Sequence, residues 1–300
     1  MRGAATFQVW LLVSVFGQAV AWAMPPVADT LRVAVHLGAL RDASKADVEA
    51  SMTVWADEVM KVIELPAEIR FYDQVPDIRR DIETGRVNFV VADGVNLIRH
   101  FAADEFTDGF GAGKASEAQF LLVARQGAGI KSARDLAGKR VMLLADHELS
   151  DLLMDTLCRR SLGRDCASAG VAIVKENRSQ QLLLKLFFGK ADAVLVRGYA
   201  YEVAAELNPQ IRHRTQVIEK YPLYGAAIGL FSRRVDPAFR DYVIGKVPLV
   251  QKHPRGQQIL QVMQTERVVR YPKSILDPIR DLMREQTVLV ARQDGRRGGR

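Results

Sequence analysis

An acid, an imidazole and a second acid lie together where an apolar, strand-like segment meets a helix-like one. The stretch LLADHELSD, residues 143–151, places Asp146, His147 and Glu148 at this junction. In α/β proteins, ligands usually bind outside the carboxyl ends of strands. Because these side chains can exchange protons, form hydrogen bonds or bind a cation, the junction is a candidate binding site.

A weak internal repeat predicts the elements that position this junction. Residues 85–94, GRVNFVVADG, align with residues 189–198, GKADAVLVRG, and the same offset relates residues 67–74 to residues 171–178. The segment between the two aligned stretches has helix length in each copy and ends in glycine, as helices commonly do. Each copy therefore predicts a strand, a helix and a second strand.

The repeat extends upstream, where residues 31–38 resemble residues 139–146 and each apolar strand precedes a longer helix. Each half of the chain then reads βαβαβ, which predicts a parallel sheet with right-handed crossovers. The predicted helices lie at about 44–64, 75–84, 149–162 and 179–188.

Two further strands connect the halves. Residues 117–127 are predicted to leave the first half, and residues 225–234 to return from the second. The helical patterns at 236–247 and 274–291 are expected to pack back on the first half. Two crossings between two lobes predict a hinge, with a ligand bound between the lobes and closure after binding.

The glycine-rich stretch GFGAGKA, residues 109–115, superficially resembles a phosphate-binding loop. Asp108 stands where that motif requires its first glycine, and Ala115 replaces the Ser or Thr that binds the metal ion. We therefore interpret the stretch as a flexible loop between two strands.

The N-terminus has the pattern of a secretory signal peptide. Arg2 precedes an apolar run at 9–23 that ends in an A-x-A sequence. The run is too short to span a bilayer comfortably. We expect cleavage near Ala23 and an exported protein that begins near Met24.

The net charge of +7 is mixed along the chain, apart from a basic, glycine-rich end at 291–300 that we expect to be a disordered tail. This pattern lacks the ordered basic stripe of a nucleic-acid-binding protein. The two cysteines, Cys158 and Cys166, are predicted to form a structural disulfide because close pairs in exported proteins usually do. Metal binding and free thiols are the alternatives.

Two short motifs resemble those of a known family. Residues 130–143, IKSARDLAGKRVML, and residues 189–196, GKADAVLV, are similar to motifs of exported ABC-transporter substrate-binding proteins of the type 2 fold, in the phosphate, phosphite and phosphonate-binding group. The matching positions are Leu136, Gly138, Lys139, Val141, Asp192 and Ala193. The resemblance covers about residues 29–290.

The resemblance implies an α/β protein with two lobes, each a mainly parallel sheet flanked by helices, joined by a two-crossing hinge. It implies a periplasmic, monomeric protein with a small-molecule ligand, an inner-membrane ABC permease as partner, no cofactor and no catalytic activity. The expected boundaries are a signal peptide at 1–23, lobe I at 29–122 plus 227–290, lobe II at 123–226 and the tail at 291–300.

One loop departs from the family pattern. Phosphonate-binding proteins typically have a loop rich in Ser, Thr and Gly after the strand at 140–144, whereas residues 146–150 here are Asp, His, Glu, Leu and Ser. Carboxylates at a helix N-terminus would repel a phosphonate dianion. The usual ligand of the family therefore does not follow from the resemblance.

The predicted ligand-binding residues all follow the strands of the repeat. They are His36, Asp93, Asn96, Asp146, His147, Ser150, Asn177, Arg178, Ser179, Arg197 and Tyr199. We expect Arg178 and Arg197 to contact an anionic group of the ligand, because guanidinium forks match oxyanions. The helix N-termini near Ser150 and Ser179 would donate amides. Alternatively, Asp146 or Ser150 caps one helix and Ser179 another.

Other functions remain open at this point. His36, Asp93, Asp146, His147 and Glu148 are acceptable ligands for Zn²⁺ or Cu²⁺, although no closely spaced histidine pair supports a metal site. A sensory or accessory binding subunit, acting through a membrane sensor and with or without a divalent metal, is the alternative to transport. An enzyme is disfavoured because no G-x-S-x-G motif is present.

Overall fold

A computed structural model describes residues 30–40, 45–113, 119–224, 227–262, 265 and 267–297. The predicted signal peptide at 1–23 lies outside these residues. Within the described part of the chain, no helix is both long and apolar enough to cross a membrane.

The strands and helices are as follows. The strands are β1 Leu31–His36, β2 Ala67–Tyr72, β3 Phe89–Ala92, β4 Phe106–Gly113, β5 Phe120–Arg125, β6 Arg140–Leu144, β7 Ala172–Glu176, β8 Ala193–Arg197, β9 Thr215–Tyr221, β10 Ile228–Ser232 and β11 Arg267–Tyr271. The α-helices are α1 Lys45–Ile63, α2 Val75–Glu83, α3 Gly94–His100, α4 Glu148–Leu162, α5 Ser179–Phe187, α6 Gly198–Leu207, α7 Gln210–Arg214, α8 Pro237–Lys246, α9 Pro254–Val262 and α10 Asp277–Arg297.

These strands form two sheets with matching cores. In the first sheet, of order β11-β4-β10-β3-β1-β2, β1 lies parallel between β2 and β3. In the second, of order β7-β6-β8-β5-β9, β6 lies parallel between β7 and β8. The predicted βαβαβ repeat is confirmed. Each sheet also contains one antiparallel strand beside its parallel core. β10 pairs with β3 in the first sheet, and β5 pairs with β8 in the second. Each of these two strands follows a crossing of the chain between the sheets.

The second sheet is buried on both faces, which explains its continuous apolar strands. Along β5, Phe120 and Leu122 contribute to one core, and Leu121 and Val123 contribute to the other. Helix α4 covers the first of these faces, whereas α5 and α6 cover the second. Gly85 and Gly189, the predicted helix-ending glycines, both have a φ of +73°, the left-handed conformation that such positions favour.

The prediction of a loop at 109–115 is wrong for its described residues, because β4 continues to Gly113. The glycines permit close packing of the strand against its neighbours. A Cβ on Gly109 would overlap the carbonyl oxygen of Gly229 and lie 2.7 Å from the Cα of Leu230, and a Cβ on Gly111 would overlap the ring of Tyr271. The glycine pattern therefore reflects steric contact across a sheet.

The helical pattern after residue 274 was expected to pack on the first lobe, and this is correct only for its start, where a Cβ on Gly94 of α3 would overlap Ile279. The rest of α10 packs on the second lobe. Ile279 and Leu282 of α10 belong to the core that contains α4 of the second sheet. Arg160 of α4 also binds Glu285 through two hydrogen bonds of 2.6 and 2.7 Å. The pattern at 236–247 does pack on the first sheet, as α8.

The structure also differs from the predicted domain ends. Helix α10 continues to Arg297, into the segment 291–300 that was expected to be disordered, because Gln293 is bonded to Arg159 of α4. Strand β5, from Phe120, lies wholly in the second sheet. Sheet membership therefore assigns residues 120–122 to lobe II, whereas the predicted boundary left them in lobe I.

The predicted disulfide between Cys158 and Cys166 is confirmed, with a Cα–Cα distance of 5.1 Å. Cys158 lies in the last turns of α4 and is fully buried. The bond closes the connection from α4 towards β7.

Removal of this disulfide by the double substitution Cys158→Ser, Cys166→Ser should lower the free energy of unfolding by about 2–3 kcal/mol, because a short loop is released in the unfolded chain. Urea unfolding measures the change. Reduced wild-type protein, in which the same bond is open, should fall towards the stability of the variant. Equal stability of oxidised wild type and variant would contradict the expectation.

Because β4 packs closely on its neighbours, Gly109→Ala should lower the free energy of unfolding by about 1–3 kcal/mol or more. The added methyl group overpacks the sheet. The matched control is Gly245→Ala in α8, where a Cβ would meet nothing within 4 Å. That change should be neutral or slightly stabilising. If both variants unfold at the urea concentration of the wild type, the packing argument fails.

Candidate functional site

In the first sheet, a histidine and an aspartate lie together at the carboxyl ends of adjacent strands. His36 ends β1 and is buried, and its Nδ1 lies 3.6 Å from Oδ2 of Asp93, which follows β3. Asp93 is the N-cap of α3, and its carboxylate accepts hydrogen bonds from the backbone N of Asn96 at 3.0 Å and from the side chain of Asn96 at 2.8 Å. The two side chains thus join the ends of neighbouring parallel strands.

The surroundings of Asp93 favour its charged form. Burial raises the pKa of this carboxyl, but the neighbouring His36 and the two hydrogen bonds from Asn96 outweigh burial. The pKa of Asp93 is therefore lowered from its usual 3.8 to about 2. This edge of the first lobe presents a carboxylate that stays ionised at neutral pH.

In the second sheet, the Asp-His-Glu junction forms the N-terminus of α4. Asp146 has a φ of 51°, a left-handed conformation that aspartate tolerates better than most residues and that turns the chain sharply after β6. The N-cap is His147, whose Nδ1 accepts from the backbone N of Ser150 at 3.2 Å and lies 2.9 Å from its hydroxyl. Neither Asp146 nor Ser150 is the cap, and Ser150 is buried beneath the histidine.

The two lobes meet at a narrow inter-lobe cavity. Its lining residues are Gly38, Ala39, Asp93, Gly94, Asn96, Asp146, His147, Glu148, Leu149 and Tyr224. Glu148 also forms an ion pair with Arg99 of α3 across the two lobes. The cavity measures about 30 Å³, which is room for about one water molecule at the ~30 Å³ that each occupies in the liquid.

A second cavity, which we call the arginine pocket, lies at the same edge of the second sheet. It is lined by Arg178, Ser179, Gln180, Arg197, Tyr199, Ala200 and Val203, and it measures about 230 Å³. Arg178 comes shortly after the end of β7, and Ser179 and Gln180 begin α5. Arg197 is the last residue of β8, and Tyr199, Ala200 and Val203 lie in α6, which follows it. The pocket therefore lies between the N-termini of α5 and α6.

Both helices at the arginine pocket begin with an unusual residue. The N-cap of α5 is Arg178 and the N-cap of α6 is Arg197, so Ser179 is not the cap. A guanidinium has no hydrogen-bond acceptor, so it cannot cap the first backbone amides of a helix. Its positive charge also adds to the positive end of the helix dipole. The pocket thus concentrates positive potential from two side chains and two helices.

The structure divides the predicted site residues into two groups. Asp93, Asn96, Asp146 and His147 line the inter-lobe cavity, and Arg178, Ser179, Arg197 and Tyr199 line the arginine pocket. The other three lie beside these groups. His36 and Ser150 contact residues of the first group, whereas Asn177 is exposed and its amide donates to Glu176.

Sequence reasoning missed several lining residues. Tyr224 precedes the second crossing, where no repeat or motif marks it. Val203 was also missed, although its spacing of four residues from Tyr199 on a helix places both on one face.

The proposed metal ligands do not assemble as a metal site. Among the residues that the structure describes, no group of three or more His, Cys, Asp or Glu side chains is arranged to hold a metal ion. His36 and Asp93 are adjacent, but His147 is engaged with Ser150 at the opposite lobe.

Solved structures place this architecture in a known class. A binding protein component of an ABC phosphonate transporter from Pseudomonas aeruginosa is 12% identical, with 88% of each chain covered and a TM-score of 0.60. PhnD1 from Prochlorococcus marinus, in complex with methylphosphonate, is 12% identical, with 86% of this chain and 98% of that chain covered and a TM-score of 0.61. A Xanthomonas citri protein bound to ATP is 11% identical, with 87% and 98% covered and a TM-score of 0.58. The chain therefore has the two-lobe fold of type 2 periplasmic binding proteins.

The family follows from the sequence match. The family model for periplasmic phosphonate substrate-binding proteins of ABC transporters matches residues 37–274. The chain belongs to this family, whose members bind a substrate for a membrane transporter. None of the curated protein sequences matches the chain.

The low pKa of Asp93 gives a prediction for acid stability. A carboxyl whose pKa is lower in the folded state stabilises the fold above its unfolded pKa, and that contribution is lost as the pH falls through the folded value. The free energy of unfolding of the wild type should therefore fall between pH 5 and pH 2, in part because Asp93 becomes protonated. In Asp93→Asn this fall should be smaller by about 2 kcal/mol.

Urea unfolding at a series of pH values measures this difference. Asp236→Asn, an N-cap carboxylate of α8 changed to the same amide, controls for the substitution itself. Parallel pH profiles of wild type and Asp93→Asn would show that the surroundings of Asp93 do not stabilise its charge.

Proposed function

We propose that this protein captures a small anionic ligand for an ABC permease, and that the arginine pocket holds the anionic group. The observation that carries the proposal is the pair of arginine N-caps, Arg178 and Arg197, at the adjacent N-termini of α5 and α6. Arginine is not a preferred residue at a helix N-cap. Departures from such local preferences are expected at functional sites.

A bound oxyanion relieves both unfavourable features at once. It accepts hydrogen bonds from the guanidinium groups, and it compensates the positive ends of two helices. Arginine suits this role better than lysine because its planar fork matches two oxygens of a carboxylate, sulfonate or phosphonate. Ser179, which is buried at the first turn of α5, supplies a further polar group.

The inter-lobe cavity is lined by acidic residues, whereas the arginine pocket is lined by basic ones. Asp93, Asp146 and Glu148 line the inter-lobe cavity, so the potential there is unfavourable for an anion. In this proposal the acidic cavity excludes the anionic group from the N-terminus of α4 and directs it to the arginine pocket. The anion of this protein then lies over α5 and α6.

Contacts between the lobes supply the conformational signal. The ion pair of Arg99 with Glu148 joins α3 to α4 beside the cavity. In our proposal the closed arrangement of the two lobes is the form that the permease recognises.

The proposal includes export and the absence of catalysis. The family is periplasmic, and residues 1–23 would act as the signal peptide that is removed near Ala23. The protein would act as a monomer that binds its ligand without chemical change.

Substitution of the pocket arginines tests the binding role. A thermal-shift screen of inorganic phosphate, methylphosphonate, small carboxylates and sulfonates first finds an anion that raises the melting temperature. Calorimetry with that anion should then show an affinity about 10- to 100-fold lower for Arg197→Ala, because a charge-assisted hydrogen bond is lost. Arg178→Ala should weaken binding in the same direction.

Arg212→Ala provides the control, since Arg212 is exposed on α7 of the same lobe and lies outside the pocket lining. Its affinity should equal that of the wild type. Unchanged affinity in the Arg197→Ala variant would refute the assignment of the anion to this pocket.

A further inference from the structure

The arginine pocket is larger than an inorganic oxyanion requires. Its volume of about 230 Å³ corresponds to roughly seven water molecules at the ~30 Å³ that each occupies in the liquid. An inorganic oxyanion that contacts both guanidinium groups leaves part of this volume filled with water.

The lining of the pocket is divided by chemistry. Arg178, Ser179, Gln180 and Arg197 supply its polar lining, and Tyr199, Ala200 and Val203, which all belong to α6, supply its apolar lining. Tyr199 and Val203 are four residues apart in α6, so their side chains are neighbours on one helix face. Both are partly exposed, whereas Ala200 is buried.

An amphipathic ligand satisfies both the polar and the apolar lining. An oxyanion at the arginines leaves the apolar lining in water, whereas an attached hydrocarbon body covers it and gains free energy from the apolar surface removed from water. We infer that the ligand is an organic anion with an apolar body of several carbon atoms, its carboxylate, sulfonate or phosphonate at Arg178 and Arg197 and its body against Tyr199 and Val203. This inference rests on the proposed function of the pocket.

A homologous ligand series tests the inference. The probes are n-alkyl carboxylates, sulfonates and phosphonates of increasing chain length, with inorganic phosphate as the reference, measured by calorimetry on the mature protein. Affinity should rise about fourfold for each methylene group that is buried, until the pocket is full. The three series share the body and differ in the head group, so they separate the preferred head from the contribution of the body.

A matched pair of variants locates the apolar contact. Val203→Thr keeps the shape of the side chain but replaces one methyl group with a hydroxyl, and it should flatten the dependence of affinity on chain length. Val174→Thr makes the same change on β7, where Val174 is exposed and outside the pocket lining, and it should retain that dependence. Circular dichroism and melting temperature confirm that both variants are folded.

The outcomes separate this inference from the function on which it rests. If affinity does not rise with chain length while Arg197→Ala still weakens anion binding, the amphipathic ligand is refuted and the anion pocket stands. A rise that Val203→Thr leaves unchanged also refutes the contact with α6. If no member of any series binds, the proposed function and the inference both fail.

Discussion

The parallel pairing of β6 with β7 on one side and with β8 on the other positions every candidate binding group of the second lobe. Because parallel strands run in one direction, the segments that follow them emerge at one edge of the sheet. Asp146 and Arg178 follow β6 and β7, and Arg197 ends β8, so the three residues lie at one edge of the sheet although they are far apart in the sequence. The apolar residues on both faces of these strands hold that register, since a slip by one residue would exchange the two cores.

The first lobe repeats this arrangement with opposite charge. Asp93 and Arg197 occupy equivalent N-cap positions after β3 and β8, and the aspartate caps its helix whereas the arginine cannot. One half of the repeat therefore satisfies the local preference of a helix N-terminus, and the other departs from it. The two positions are equivalent in geometry, because each is the N-cap of the helix that follows the third strand of its half. The difference in charge between the two positions is what gives the protein an acidic cavity and a basic pocket at neighbouring edges.

The sequence predicted features that depend on local or periodic signals. The repeat located six parallel strands and the helices between them, and Gly85 and Gly189 marked two helix ends because left-handed conformations favour glycine. Strand-end positions also predicted that Arg178, Ser179, Arg197 and Tyr199 lie together. Each of these predictions follows from the chain direction and from residue type alone.

The failures depend on partners that are distant along the chain. GFGAG appeared to be a loop because its glycines make sense only beside Gly229 and Tyr271, which lie in strands formed much later. Likewise, α10 has an apolar face but nothing in its own sequence identifies α4 as its partner. The cap of α4 was also missed, because histidine is not a preferred N-cap and its role depends on the turn at Asp146. Tertiary contacts decided each of these cases.

The insertion of β10 and β11 into the first sheet has a consequence for the order of folding. All strands of the second sheet lie between Phe120 and Tyr221, whereas the first sheet needs strands from Leu31 to Tyr271. As a chain emerges from its N-terminus, the second sheet can therefore close while the first still lacks the strand between β3 and β4. Until residues 228–232 arrive, β3 and β4 have unpaired edges, and such edges are prone to pair with other chains. The lobe that is begun first is thus the lobe that is completed last, and its unpaired strand edges stay exposed for longer during synthesis.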